Sequence, residues 1–496
     1  MVLVKDQIDS ETKSFHSAKS IGLWAGVGVA ALLQLFPAPD GLSSEGWVIV
    51  SLALWMAIWW ITEAVPIGVT SLLPIVIVPL FGVLPIKEAV VPYSSPIVLL
   101  LMGGFIAAKS IEKWNLHTRL ALNIVVRVGD HPKALIAGFL MASAVLSMWI
   151  SNTATTIMLA PIGLSVARAI TGEAKKNDGL VVAVLLAIAY GASIGGLGTP
   201  VGTPTNLIVI GYLQEFAQYN IDFAQWMSIG LPMVAVMLPA AWFVLTHWGA
   251  KIASDEHGRG GGVVQERLDV LGKMSTPEFR TLITFSIIAI LWIVRRPLNG
   301  LELFGATPFQ YLTDHIIAIG GAILMFVVPA GKSTEKGTKL LDWDNAKQIP
   351  WEVVLLFGGG LSLALGISES GLALWLATIM GGLTSAPTLI LILVLVSVVI
   401  FSTEIVSNVA TATATLPILG AMAGNSGMEL TTLAVPVAMA ASCAFMLPMA
   451  TGPNAIVFGT GRVSMSRMAS IGLKLNILGV GLITTVLYWL MPIVFS

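Results

Sequence analysis

The 496-residue sequence predicts an all-α polytopic membrane protein built on an inverted internal repeat, with about eleven transmembrane helices and two re-entrant hairpins. Three observations predict it. The composition suits lipid, the basic residues are segregated along the chain, and a polar motif recurs in two copies with opposite surroundings.

Hydrophobic residues make up 56% of the chain and charged residues 11%, with a mean hydropathy of +0.88. A soluble domain carries about 25% charged residues, so the lipid bilayer is the expected surroundings. Apolar runs near the ~20 residues needed to cross it recur at Ile21–Phe36, Gly46–Ile61, Gly179–Ile194, Met227–Thr246, Ile316–Pro329 and Ile471–Phe495. The charge of -1 comes from scattered loop residues, with no basic tract for a nucleic acid. The lone Cys443 excludes an intrachain disulfide framework, and the six dispersed histidines show no paired ligand spacing. Metalloenzyme chemistry is therefore not expected.

Lysine and arginine favour the cytosolic side of short loops. Lys5, Lys13 and Lys19 lie in a polar start that is expected to be a cytosolic tail rather than a signal peptide. The loop Pro37–Glu45 has none. Basic groups then fall at Lys109–Lys133, Arg168–Lys176, Lys251–Lys273, Lys332–Lys347 and Arg462–Lys474. This alternation places the N-terminus inside a cell (inner) membrane and the C-terminus outside, with Lys87 and the Arg295-Arg296 pair as exceptions. The expected divisions are a cytosolic tail (1–19), a first transmembrane helix with its outer loop (20–45), a first repeat (46–248), a cytosolic linker (249–279) and a second repeat (280–496).

Each repeat holds an apolar run broken by a polar tip. Ala134–Ala167 is broken at Ser151-Asn152-Thr153, and Thr388–Gly424 at Ser407-Asn408-Val409. The first has cytosolic-type charges at both ends and the second has none, so the hairpins 134–167 and 388–424 are expected to enter from opposite faces. The copies share more than the tip. Ser147 and Thr403 each stand four residues before the motif serine, and Gly202-Thr203-Pro204-Thr205-Asn206 parallels Ala450-Thr451-Gly452-Pro453-Asn454. Leu101-Met102-Gly103-Gly104 likewise parallels Leu356-Phe357-Gly358-Gly359, as close-packing positions without a Walker lysine. Related halves of opposite orientation are the mark of an inverted-repeat secondary transporter.

Irregular backbone survives at membrane depth only beside protein or a water-filled cavity. The two tips and the two breaks at Pro204 and Gly452 therefore read as four half-helix N-termini facing a cavity. Each carries roughly +0.5 charge, together enough to attract a dianion, and neither hairpin contains Lys, Arg or His. Ser147, Ser151, the Asn152 carbonyl and the Gly202 carbonyl supply an oxygen-only set, mirrored by Thr403, Ser407, Asn408 and the Ala450 carbonyl. Such donors suit a hard cation, for which sodium is the natural choice at a membrane. Glu404 is expected either to face vestibule water or to pair within the fold. Glu63 reads as the end of a span, and Trp47, Trp226, Trp351 and Trp489 as interfacial anchors.

These motifs, with Trp60-Ile61-Thr62-Glu63-Ala64-Val65-Pro66, resemble the divalent anion–sodium symporter family, which includes the INDY-type carriers. The resemblance covers nearly the whole chain. It implies a homodimer with scaffold and transport domains, an elevator motion, and sodium-coupled transport of small dicarboxylates such as succinate, malate, fumarate or citrate. It also implies that Ser147, Ser151, Asn152 and Gly202 serve one sodium and that Thr403, Ser407, Asn408 and Ala450 serve another. Asn152, Thr153, Thr203, Asn408 and Thr451 would touch substrate. Two residues depart from the family pattern: Val409 lacks the tip hydroxyl, and Gly452 replaces the first proline of Pro-Pro-Asn. A sodium-independent exchanger or a sulfate carrier would use the same oxygens, so the residues leave both open. An intramembrane enzyme needs a nucleophile–base pair, where the hairpins offer only hydroxyls, amides and Glu404.

Overall fold

The computed structural model describes residues 19–129, 131–171, 178–249, 260–332, 334–380, 387–426 and 428–495. The tail 1–18 and the basic residues Lys175, Lys176, Lys251 and Arg259 lie outside them. Helices account for nearly all of the described structure, and the β pairing among the described residues is confined to two isolated bridges. Helices satisfy their own backbone groups, as a lipid-facing chain requires. Among the described residues, eight helices are long and apolar enough to cross a membrane, and seven apolar helices are shorter.

The chain forms two compact units, each drawn from both halves of the sequence. The first comprises Met1–Val98, Pro350–Ala386 and Val409–Leu433. Here the helix Trp351–Glu369 packs through its glycines, as its sequence predicts. A methyl group at Gly358 would meet Tyr93, one at Gly359 would meet Ser71, and one at Gly360 would meet Thr413. Indole nitrogens tie the first helix down, Trp59 donating to the Leu23 carbonyl (3.1 Å) and Trp47 to that of Leu33 (2.9 Å). Glu63 ends the helix Ser44–Thr62 in a left-handed conformation (φ 46°) and pairs with Lys19 at 3.8 Å.

The second unit comprises Leu99–Ile349, Pro387–Asn408 and Ala434–Ser496. Its centre is the helix Gly179–Gly196, buried on every side from Leu180 onward. A helix apolar all round has no solvent face to present. Its glycines let neighbours approach as backbone: a side chain at Gly191 would strike the Leu140 carbonyl, and one at Gly195 the backbone of Ala144. Those contacts seat the first arm of the first hairpin, Pro132–Ser147, whose partner arm is Asn152–Thr171. Of the second hairpin, the first arm Thr388–Thr403 lies in this unit, whereas its second arm Asn408–Ser426 belongs to the first unit from Val409 onward.

Several buried charges of this unit are paired. Arg119 reaches Glu278 (3.1 Å) and the carbonyls of Leu271 and Gly272, so the last part of the expected linker is held against the fold. Arg295 and Arg296, the exceptions to the basic pattern, are held by buried carboxylates: Arg295 by Asp314 (2.7 Å) and Asp222, Arg296 by Asp222. Their role is to fasten helix ends together. Trp226 corrects an expectation. It is fully buried and donates to the Leu197 carbonyl (3.1 Å), a core residue rather than an interfacial anchor. Trp351 and Trp489 are exposed, as anchors should be.

Candidate functional site

Both polar tips begin helices. In the first hairpin, Met148–Ser151 separates the arms, and Ser151 Oγ accepts from the Ala154 amide (3.2 Å), capping the helix that starts at Asn152. Pro161 and Pro417 lie inside the two tip helices at equivalent positions. The buried Ser147 hydroxyl lies 2.5 Å from the Asn152 side-chain amide. The same amide atom is 3.2 Å from the Gly202 carbonyl and 3.2 Å from the Ala192 carbonyl. Three oxygens thus surround one end of the Asn152 amide. With its nitrogen inward, the amide donates to them; with its oxygen inward, four oxygens face one another and fit a shared hard cation. Ala192 is an addition that the sequence did not single out.

The second set repeats the hydroxyl–asparagine pair of the first, with its neighbouring carbonyl on the hydroxyl rather than on the amide. Thr403, also fully buried, donates to Asn408 Oδ1 (2.8 Å) across the same five-residue spacing, and its hydroxyl reaches the Ala441 carbonyl at 3.0 Å. Ala441 enters here much as Ala192 does in the first set. Ser407 directly precedes Asn408 in the chain, and Ala450, 42 residues further on, is buried at the second break.

The breaks are alike in detail. Thr203 and Thr451 adopt extended backbone and cap the helices Pro204–Phe216 and Gly452–Gly459. Thr451 Oγ1 accepts from the Asn454 amide (3.2 Å), whereas the Thr203 hydroxyl turns to Thr205 (3.4 Å). The halves also touch. Thr205 shares a 2.6 Å hydroxyl contact with Ser442, and the Tyr190 hydroxyl donates to the Phe445 carbonyl (2.9 Å). A methyl group on Gly452 would overlap the Thr153 hydroxyl, so the first tip lies directly against the second break. A proline ring at 452 would compete for that space, which ties the Gly452 departure to the position of Thr153.

Glu404 is buried (3% exposed) and accepts four bonds. Its Oε1 takes the amides of Phe445 (2.7 Å) and Met446 (2.9 Å) and the Asn476 side chain (2.7 Å), and its Oε2 takes the Leu447 amide (2.9 Å). The equivalent amides in the first repeat, Leu197 and Gly198, bond to the carbonyls of Ile194 and Gly195 in their own helix. The second helix stops earlier, at Ala441, and the carboxylate substitutes for the missing turn. Of the two expected roles for Glu404, pairing within the fold is the one observed. Its partners lie 41 to 72 residues away, beyond the reach of sequence pattern.

Residues 17–495 match the family described as "Sodium:sulfate symporter transmembrane region". The chain is 42% identical over 489 residues to a protein of Staphylococcus saprophyticus named sodium-dependent dicarboxylate transporter SdcS, covering 97% of this chain and 93% of that one. The protein of that name in Staphylococcus aureus strain USA300 is likewise 42% identical, with the same coverage. Among solved structures, the crystal structure of the Alcanivorax borkumensis YdaH transporter is similar in fold, with a TM-score of 0.55 over 96% of this chain and 97% of that one. At 14% identity it speaks for the fold alone.

Proposed function

The chain belongs to the sodium:sulfate symporter family, the divalent anion–sodium symporters, and from that premise we propose that it is a sodium-coupled secondary transporter of small dicarboxylates. The observation that carries the reading is the repeated oxygen set: Ser147, Asn152 and the Gly202 carbonyl in one half, Thr403 and Asn408 in the other. The names of the relatives at 42% identity support both sodium and a dicarboxylate. In this reading each set takes one sodium, with Ser151 and Ser407 and the Ala450 carbonyl completing them. Succinate, malate, fumarate or citrate then lies between the tips, met by Asn152, Thr153, Thr203, Asn408 and Thr451. Half-helix N-termini supply positive potential without a buried cationic side chain.

Every one of those residues belongs to the second compact unit. The helix that starts at Asn408 passes into the first unit from Val409, and the elevator motion in a homodimer is what the family resemblance implies for this reading. The two hairpins would be re-entrant from opposite faces, with the N-terminus in the cytosol. A sodium-independent exchanger has one observation in its favour: with the Asn152 nitrogen inward, the first cluster is satisfied without a cation. Uptake of radiolabelled succinate into proteoliposomes decides between them. Stimulation by an inward sodium gradient supports symport. Equal uptake in choline, with acceleration by internal dicarboxylate, supports exchange.

A further inference from the structure

We infer that Asn206 and Asn454, which the transport reading leaves without a role, are the positioning residues that aim the Gly202 and Ala450 carbonyls at the two cation sites. This rests on the sodium-coupled reading above and extends it to residues that do not touch the ion.

The geometry is duplicated bond for bond. Asn206 Nδ2 donates to the carbonyls of Gly196 (2.9 Å) and Thr199 (2.8 Å), ten and seven residues upstream. Asn454 Nδ2 donates to the carbonyls of Ala444 (3.1 Å) and Leu447 (3.0 Å), again ten and seven residues upstream. The second acceptor of each pair has another bond. The Thr199 carbonyl takes the Gly202 amide (3.3 Å), and the Leu447 carbonyl takes the Ala450 amide (3.2 Å). Each asparagine therefore closes its break across both ends and fixes the turn that sets the 202 or 450 peptide. Gly196 lies against both the Asn152 amide and the Gly202 carbonyl, so the brace adjoins the first oxygen set.

Both asparagines are wholly buried, and in both Oδ1 has no hydrogen-bond partner. A buried acceptor left idle is a cost. Accepting that cost twice at equivalent positions indicates that the two N–H donors are what each site retains. Around these breaks the repeats share the threonine (Thr203, Thr451), a proline (Pro200, Pro448) and the asparagine, and differ elsewhere. The flanking residues differ, Val201 against Ala450's neighbour Met449 and Pro204 against Gly452, whereas the asparagine and its two acceptors coincide. A residue that only filled space would not need the same pair of bonds in both halves. Groups that orient metal ligands from behind typically alter metal affinity by about 10–100-fold when removed.

The test compares Asn206→Leu, Asn454→Leu and the milder Asn206→Ser and Asn454→Ser with wild type, as full-length protein. Leucine matches asparagine in shape and cannot donate; serine keeps one donor and guards against loss of folding in the leucine variants. Two measurements are read: sodium dependence of succinate uptake in proteoliposomes, and the rise in Tm that sodium gives the purified protein without succinate. The expected result is an increase of about tenfold or more in the sodium concentration for half-maximal uptake, with a smaller sodium-induced Tm rise. The succinate KM at saturating sodium should change little, a split that general misfolding would not produce. Folded variants with unchanged sodium dependence and Tm response, beside a sodium-dependent wild type, overturn the bracing role alone. Wild-type uptake indifferent to sodium overturns the transport reading and this inference with it.

Discussion

In the proposed site, Asn152 and Asn408 lie between cation and anion, each offering an oxygen to one and an N–H to the other. Truncating either to alanine leaves a desolvated carboxylate short of a donor, at a cost of about 1–3 kcal/mol or more, so both single variants should lose nearly all succinate uptake. Because both act on one anion, their effects should fail to add in the double variant; wild-type rates in both single variants would remove the shared site. Ser147 and Thr403 make a separate test on the cation side. Each is buried and five residues ahead of its asparagine. A hydrogen bond to a charged group contributes about 1.5–3 kcal/mol, so Ser147→Ala and Thr403→Ala should raise the half-maximal sodium concentration about tenfold or more. These four residues were legible in the sequence because they recur at one offset. Ala192 and Ala441 were not, since their carbonyls lie inside helices and outside the repeated motifs that pointed to Gly202 and Ala450.

At the scale of elements, the helix starts were legible from their caps and the packing glycines from their clustering. The first hairpin was expected over 134–167 and its arms are Pro132–Ser147 and Asn152–Thr171, the second running further because Arg168 lies within its last turn rather than beyond its end. What sequence could not supply was the hold on the second break. Glu404 gathers the amides of Phe445, Met446 and Leu447 and the Asn476 side chain, all 41 to 72 residues away. Glu404→Ala orphans all four donors and should lower Tm sharply, with Glu404→Gln intermediate because it keeps one acceptor oxygen. An unchanged Tm for Glu404→Ala would show that the break does not depend on the carboxylate. The tie between Lys113 and Asp342 (2.7 Å) behaves differently. The hydrogen bond from Lys113, with the Asn345 amide, holds the Asp342 carboxyl down at about 2. Its contribution is present above the ordinary aspartate value of 3.8 and is lost only as pH falls towards 2. Uptake should show no titration from this pair near neutral pH.

At the scale of the whole molecule, composition made the membrane-spanning, all-helical character legible, and the repeated motif made the family legible. Trp226 escaped because a tryptophan at a helix start looks the same whether it faces headgroups or the core. Orientation is open to direct measurement in a Cys443→Ser background, which removes the only native thiol. Ser44→Cys and Thr388→Cys should react with impermeant thiol reagents from outside, and Met274→Cys and Glu335→Cys should not. The reverse pattern would invert both halves. The central claim is that two repeat-related oxygen sets each carry a sodium ion with a shared dianion. Parallel fluxes of radiosodium and radiolabelled succinate into the same proteoliposomes measure that claim most directly. The expected result is sodium entry that accompanies succinate at two or more ions per dicarboxylate and vanishes with it in Asn152→Ala. Succinate uptake at full rate with no accompanying sodium would contradict it.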